Sequence, residues 1–325
     1  MRRTFVFILF LLFFSKTYCQ DLPIYKQYVM NEFLINPAFA GYYDYSPIMI
    51  SNRMQWVGIE NAPETQIFSA QGPIGNSGIG AIVFRDQNGI FSQSGAQLAY
   101  SYRINFGKTQ KIRKKSGKVS RKSSMLAFGC AFSGFQVNID QSDFFVNDLR
   151  DPAISGVIET ANLPEASCGL FFQNKNLKIG LSGLQLLESR MNLYQREEEN
   201  NRMQRRILLH AAVTSTINED FEFEPSFLYN TTTQWQSRLD FNCKLIYHND
   251  YWFAASYSRE LNSPYGQNIS MKLLTGLKLY RKFYMAYSFE YALSEIQIGT
   301  LGSHDLAIFY NMGMDVERKR KIRRR

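Results

Sequence analysis

From about Arg53 to Met312 the chain repeats one pattern: apolar, often aromatic, residues at every second position, with polar or small residues between them. Leu239, Phe241, Cys243, Leu245 and Tyr247 interleave with Asp240, Asn242, Lys244, Ile246 and His248. Ala96, Leu98, Tyr100, Tyr102, Ile104 and Phe106 do the same, as do Phe283, Met285, Tyr287, Phe289 and Tyr291. A period of two is the strand period, because successive side chains point to opposite faces. The alternation marks strands near 47–57, 65–72, 78–86, 92–106, 124–138, 166–173, 177–186, 205–217, 219–229, 235–248, 250–260, 266–280, 282–293 and 303–314. Several run past the ~5–6 residues typical of strands in globular proteins. Their apolar faces are rich in tyrosine and phenylalanine, as an interfacial girdle requires. The fold class expected is all-β, a transmembrane antiparallel β-barrel of about 14 strands, an even number as in bacterial single-chain barrels. A soluble β-sandwich or an extracellular adhesin is the competing fold.

The first residues support export. Met1-Arg2-Arg3, an apolar run from Thr4 to Phe14, and Ser15-Lys16-Thr17-Tyr18-Cys19-Gln20 read as a signal peptide over 1–19, with cleavage before Gln20. The run is well short of the ~20 residues a spanning helix needs. Lipidation at Cys19 is the rival, opposed by Tyr18 where that signal wants a small residue. No later segment is long and apolar enough for a spanning helix, and lipid offers no hydrogen-bond partners to open backbone. The chain then divides into an N-terminal periplasmic segment (20–45) with turn chemistry at Pro23, Asn36-Pro37 and Gly41, a barrel (46–314), and a basic, disordered tail (315–325).

The net charge is +9, of which the signal carries +3, the tail +5 and the stretch 107–124 +8, leaving −7 for everything else. The basicity is thus confined to two segments and is not interleaved with stacking aromatics, which argues against nucleic acid as a partner. Lys111, Arg113, Lys114, Lys115 and Arg318, Lys319, Arg320, Lys321 are candidate electrostatic contacts for an acidic partner, lipopolysaccharide phosphate or cell wall. Cys130, Cys168 and Cys243 are odd in number, lack metal spacing and fall on the apolar face, where they read as small hydrophobes. Short turns are expected at 86–89, 174–176, 218–220 and 248–250, the last three periplasmic. The long connectors 107–123, 140–164 and 188–204 are expected on the outer side.

The N-terminal segment is the most specific part of the sequence. Gln20-Asp-Leu-Pro23-Ile-Tyr25-Lys-Gln27-Tyr28-Val-Met-Asn31, followed by Asn36-Pro37-Ala38-Phe39-Ala40-Gly41, resembles the start of the PorP/SprF family of type IX secretion system membrane proteins. The resemblance continues in Arg53-Met-Gln55-Trp56-Val57-Gly58, in Ala62-Pro63-Glu64-Thr65, and in Gly78-Ile-Gly80 with Asp86-Gln-Asn-Gly89. It recurs in Leu163-Pro164-Glu165, Glu224-Pro225-Ser226, Tyr287-Ser288-Phe289-Glu290 and Gly302-Ser303-His304-Asp305-Leu306. It implies an outer-membrane β-barrel working in type IX protein secretion and gliding motility, partnered by secretion-machine components or by one large secreted surface protein. The chain departs from the usual pattern in carrying a basic tail after its last strand.

Asn36, Pro37, Gly41, Arg53, Gln55 and Trp56 are candidate partner-docking or structural residues. Pro37 fixes φ and restricts Asn36, while Gly41 permits a positive φ. Arg53, Gln55, Asp240 and Glu290 are expected to face the lumen as an ionic network that fills it. No catalytic, cofactor or metal site stands out: His210, His248 and His304 lack a metal-spaced partner, and neither a Gly-x-Ser-x-Gly elbow nor a phosphate loop is present. The function expected is a non-enzymatic outer-membrane accessory, with a porin or transporter for a small solute as the alternative.

Overall fold

A computed structural model describes residues 26–113, 119–142, 157–191, 202–248, 250–262 and 269–314, and gives no side-chain surroundings for 107–123 and 295–296. Fourteen strands close into one antiparallel barrel: β1 Ser46–Met54, β2 Glu64–Ile74, β3 Ser77–Asn88, β4 Phe91–Arg113, β5 Val119–Asp140, β6 Ile158–Asn174 and β7 Leu177–Leu184, then β8 Arg206–Val213 (continued by Ser215–Thr216), β9 Phe221–Thr232, β10 Ser237–Tyr247, β11 Tyr251–Leu261, β12 Ile269–Tyr280, β13 Phe283–Ala292 and β14 Ser303–Met312. Each strand pairs with its sequence neighbours, and β1 closes on β14 from Ser46↔Met312 to Met54↔His304. Closure removes the sheet edges that lipid cannot satisfy. Among the described residues no helix is long and apolar enough to cross a membrane.

The alternation sorts the two faces as the sequence requires. Leu98, Phe132, Phe253, Leu273 and Ile308 point outward and exposed, while Ser101, Ser133, Asn242, Ser288 and Asp305 point inward and are buried. Cys130, Cys168 and Cys243 lie on the outward face, and the first two are register partners across β5 and β6.

The β3–β6 wall changes character at one end. On β5 the outward residues pass from Leu126, Phe128, Cys130 and Phe132 to Gly134, Gln136, Asn138 and Asp140. The inward residues pass in the same stretch to buried Phe135, Val137 and Ile139, which join Leu163, Met191 and Met203 in one apolar cluster. This reversal is what a strand shows when it leaves a hydrocarbon surround and must exclude water from its inner side. Here β6 begins at Ile158, eight residues earlier than the alternation indicated, because its phase is inverted over that stretch and Pro164 reads as a breaker.

Two ends follow from the topology. At one lie the connections 55–63, 141–157, 185–205 and 293–302. At the other lie the turns 75–76, 175–176, 217–220, 248–250 and 281–282, the start of β1 and the end of β14. The segment 107–123, expected as an outer loop, is mostly strand: β4 and β5 run on as one long hairpin with Lys111 opposite Arg121. Counting strands places this hairpin at the short-turn end, which corrects the expected side. Lys114, Lys115, Arg318, Lys319, Arg320 and Lys321 lie outside the described residues.

Candidate functional site: a filled lumen

The residues before β1 form three short 3-10 turns, Lys26–Val29, Glu32–Leu34 and Pro37–Phe39. They lie inside the barrel. Sequence reading set the segment 20–45 in the periplasm, but from Gln27 to Gly41 the described residues are largely buried against the inner wall. Asn31 and Asn36 cap the second and third turns, each accepting from a backbone N–H two residues on, at 3.2 and 2.8 Å. An Asn cap satisfies an N–H that a short turn otherwise leaves open, and Pro37 at the first helical position has no N–H to lose.

On the β3–β7 side the segment is seated by shape. A Cβ at Gly129 would fall 2.3 Å from the Ala38 nitrogen, at Gly169 2.0 Å from Asn36 Oδ1, at Gly80 2.4 Å from the Phe33 ring and at Gly78 2.0 Å from the Ala40 oxygen. These inward positions therefore favour glycine: the plug backbone stands where a Cβ would at Gly129 and Gly78, and the side chains of Asn36 and Phe33 do so at Gly169 and Gly80. Phe39 packs on Phe171 with ring centroids 4.2 Å apart, and both are fully buried. Asn36 Nδ2 donates to the Leu170 and Leu181 carbonyls at 3.0 and 3.4 Å, joining the plug to β6 and β7 at once. At the short-turn end Ser101 Oγ donates to Ala40 O at 2.6 Å, Arg103 donates to Gly41 O, and Gly41 N donates to Gln71 Oε1 at 3.1 Å. Gly41 has φ +64°, and a Cβ there would lie 2.7 Å from Gly72 O. The turn that carries the chain into β1 thus needs glycine on both counts.

On the side of β9–β14 and β1 the segment is held by charge. Arg53 donates to both Asp305 oxygens at 2.9 Å and to Glu290 Oε2 at 2.7 Å. Lys272 lies 2.7 Å from Asp305 Oδ2, and Lys26 of the plug meets the other oxygen of Glu290 at 2.5 Å. Arg238 grips Asp240 through two bonds of 2.7 and 2.6 Å. Asn242 donates to the Tyr28 hydroxyl at 2.8 Å. One ion pair lies on the other side of this division: Glu32 of the plug meets Lys178 of β7 at 3.3 Å, and Lys178 meets Glu224 of β9 at 3.3 Å.

Of the residues picked out by sequence, the structure gathers Asn36, Pro37 and Gly41 into the plug and Arg53, Asp240 and Glu290 into the ionic wall. Gln55 accepts from Arg53 Nε at 2.9 Å at the edge of that wall. Trp56, at φ 48°, opens the 55–63 connection, which is tied to the last long connection through Val57 N–Gly302 O (2.9 Å) and Leu301 N–Val57 O (2.8 Å). His210 is buried against Tyr28 and Phe39. Among the described residues no group of His, Cys, Asp and Glu is placed to hold a metal ion. Sequence reading missed Lys26, Glu32, Lys178, Lys272, Asp305 and the glycine cradle. The last four groups sit on inward positions of recognisable strands, but which of them would meet depends on cross-strand register. Lys26 and Glu32 precede the first strand, where alternation gives no direction.

The family model described as type IX secretion system membrane protein PorP/SprF matches residues 18–310. No curated protein matches the chain. Among solved structures, the CymD monoaromatic hydrocarbon channel is similar over 91% of this chain and 95% of its own, at 10% identity and a TM-score of 0.49. The Pseudomonas putida toluene transporter TodX is similar over 90% and 95%, at 12% identity and 0.45. The Acinetobacter baumannii outer membrane protein Omp33 is similar over 82% and 98%, at 5% identity and 0.46. Likeness at this level says nothing about what passes through or binds to this barrel.

Proposed function

We propose that this chain, which belongs to the type IX secretion system membrane protein PorP/SprF family, is a non-enzymatic and non-conducting accessory of type IX protein secretion in the bacterial outer membrane. Its partner is a component of the secretion machine or one large secreted surface protein. The observation that supports this reading is the lumen: a solute channel needs a free passage, and here the chain's own residues 26–41 occupy it, pinned at Gly129, Asn36 and Glu290. A barrel whose interior is filled offers its ends to other molecules, and those ends differ in loop length and in charge. The basic residues of 107–124 and of the tail are electrostatic contacts for an acidic partner in this reading, weakened by salt.

Affinity capture of the tagged protein from gently solubilised outer membranes, with mass spectrometry of what co-purifies, tests the proposal. Recovery of type IX machine components or of one large secreted protein at near-stoichiometric yield is the expected result. Recovery of the folded barrel alone would count against an accessory role and in favour of a solute porin.

A further inference from the structure

The plug runs through the lumen in one direction, and that direction separates the two termini. Lys26 is tied to Glu290, which is two residues from the last residue of β13 and seven from its first. At ~3.4 Å per residue these are roughly 7 and 24 Å along the strand. Lys272 Nζ donates to the Lys26 carbonyl at 3.3 Å, and Arg53, which shares Glu290, is one residue from the end of β1. All three anchors are at the long-loop end. Farther along, Tyr28 reaches mid-barrel Asn242, Asn31 reaches Ser69 at 2.9 Å, and Ala38 lies over Gly129. Gly41 then meets Gln71 and Arg103 near the short-turn end, where β1 begins at Ser46.

We infer that the plug enters the lumen from the mouth that carries the long loops: Lys26, its first described residue, stands there, opposite the end at which β14 finishes. Sequence reading places the segment 20–45 in the periplasm; this direction sets its leading end at the opposite mouth. Combined with the outer-membrane reading proposed above, on which this step rests, long loops face the exterior. A protein partner at the outer mouth therefore meets the leading end of the plug as well as the loops. Lys26, whose side chain is one quarter exposed, is the point of the latch that such a partner reaches first.

The test uses three versions of the full chain, each with one epitope: between Gln20 and Asp21, between Asn200 and Asn201 in the 185–205 connection, and after Gly313. Antibody is applied to intact cells and then to permeabilised ones. The expected result is equal labelling of the first two before permeabilisation, with the third at background until the membrane is opened. Labelling of the 185–205 epitope without the N-terminal one overturns the inference and leaves the membrane orientation standing. Labelling of the third epitope alone on intact cells contradicts the orientation, while the inference stands because the first two still share a side. Should the N-terminal epitope impair export, Leu22→Cys in a chain with Cys130, Cys168 and Cys243 changed to Ala, labelled with a membrane-impermeant maleimide, gives the same answer. Protection of that thiol on intact cells, with the 185–205 epitope accessible, again overturns it.

Discussion

The two halves of the lumen hold the same segment by different physics. Across β3–β7 the wall gives up side chains: Gly78 and Gly129 leave room for the plug backbone, Gly80 and Gly169 for the Phe33 ring and the Asn36 amide, and Phe39 meets Phe171 in a buried contact. Across β9–β14 and β1 the wall supplies charges instead, and the Arg53, Lys272, Glu290 and Asp305 network extends to Lys26 of the plug. Shape fixes where the segment sits, because close packing tolerates no extra atom. Buried charge fixes which groups must meet, because an unpaired ion in the interior costs far more than a paired one. A segment of three short 3-10 turns has little regular structure of its own, and the two kinds of contact together compensate for that.

The largest effect is expected on the charged side. Arg53→Met leaves Glu290 and Asp305 buried with one fewer cation, at a cost of about 3–5 kcal/mol. Urea titration of the detergent-solubilised barrel should show it, and pairing the change with Asp305→Asn should recover part of the loss. An unchanged midpoint for Arg53→Met would mean that charge does not hold this half. On the shaped side, Gly129→Val drives a side chain into the Ala38 backbone and should cost about 1–3 kcal/mol. Gly134→Ala, on the outer face of the same strand with open space at its Cβ, should stay within about 0.5 kcal/mol. Equal effects at Gly129 and Gly134 would dissolve the distinction between seat and surface. Asn36→Ala removes a cap and two wall contacts; about 1–2 kcal/mol of plug stability should be lost, read as faster proteolysis between Lys26 and Gly41 with the barrel intact.

How much of this was legible in the sequence depends on the residue. The strands containing Leu98, Phe132, Phe241 and Tyr287 announce themselves, because lipid outside and a polar lumen inside impose a clean period of two. The same rule misreads Ile158–Glu165, where the wall stands clear of the hydrocarbon band and Ala161 and Leu163 turn inward. Arg53 and Glu290 could be assigned to the lumen by phase alone. Their partners Lys272 and Asp305 could not, since those meetings rest on the β12–β13 register, which sets Lys272 opposite Glu290, and on the β1–β14 register, which sets Arg53 opposite Asp305. The motif Asn36-Pro37-Ala38-Phe39-Ala40-Gly41 reads as turn chemistry, and it is turn chemistry. That the turn lies within the barrel is written in residues far away, at Gly80, Gly129 and Gly169, whose need for glycine appears only when the two segments are brought together.

The central claim, that the lumen is filled by the chain's own N-terminal segment, is tested most directly by conductance in planar bilayers. The intact barrel and a version lacking Lys26–Gly41 should be compared, each first checked for folding by its heat-modifiable mobility. The account predicts no steady current from the intact protein and a sustained open channel once the segment is removed. A steady current from the intact protein, at a level unchanged by the deletion, would contradict it.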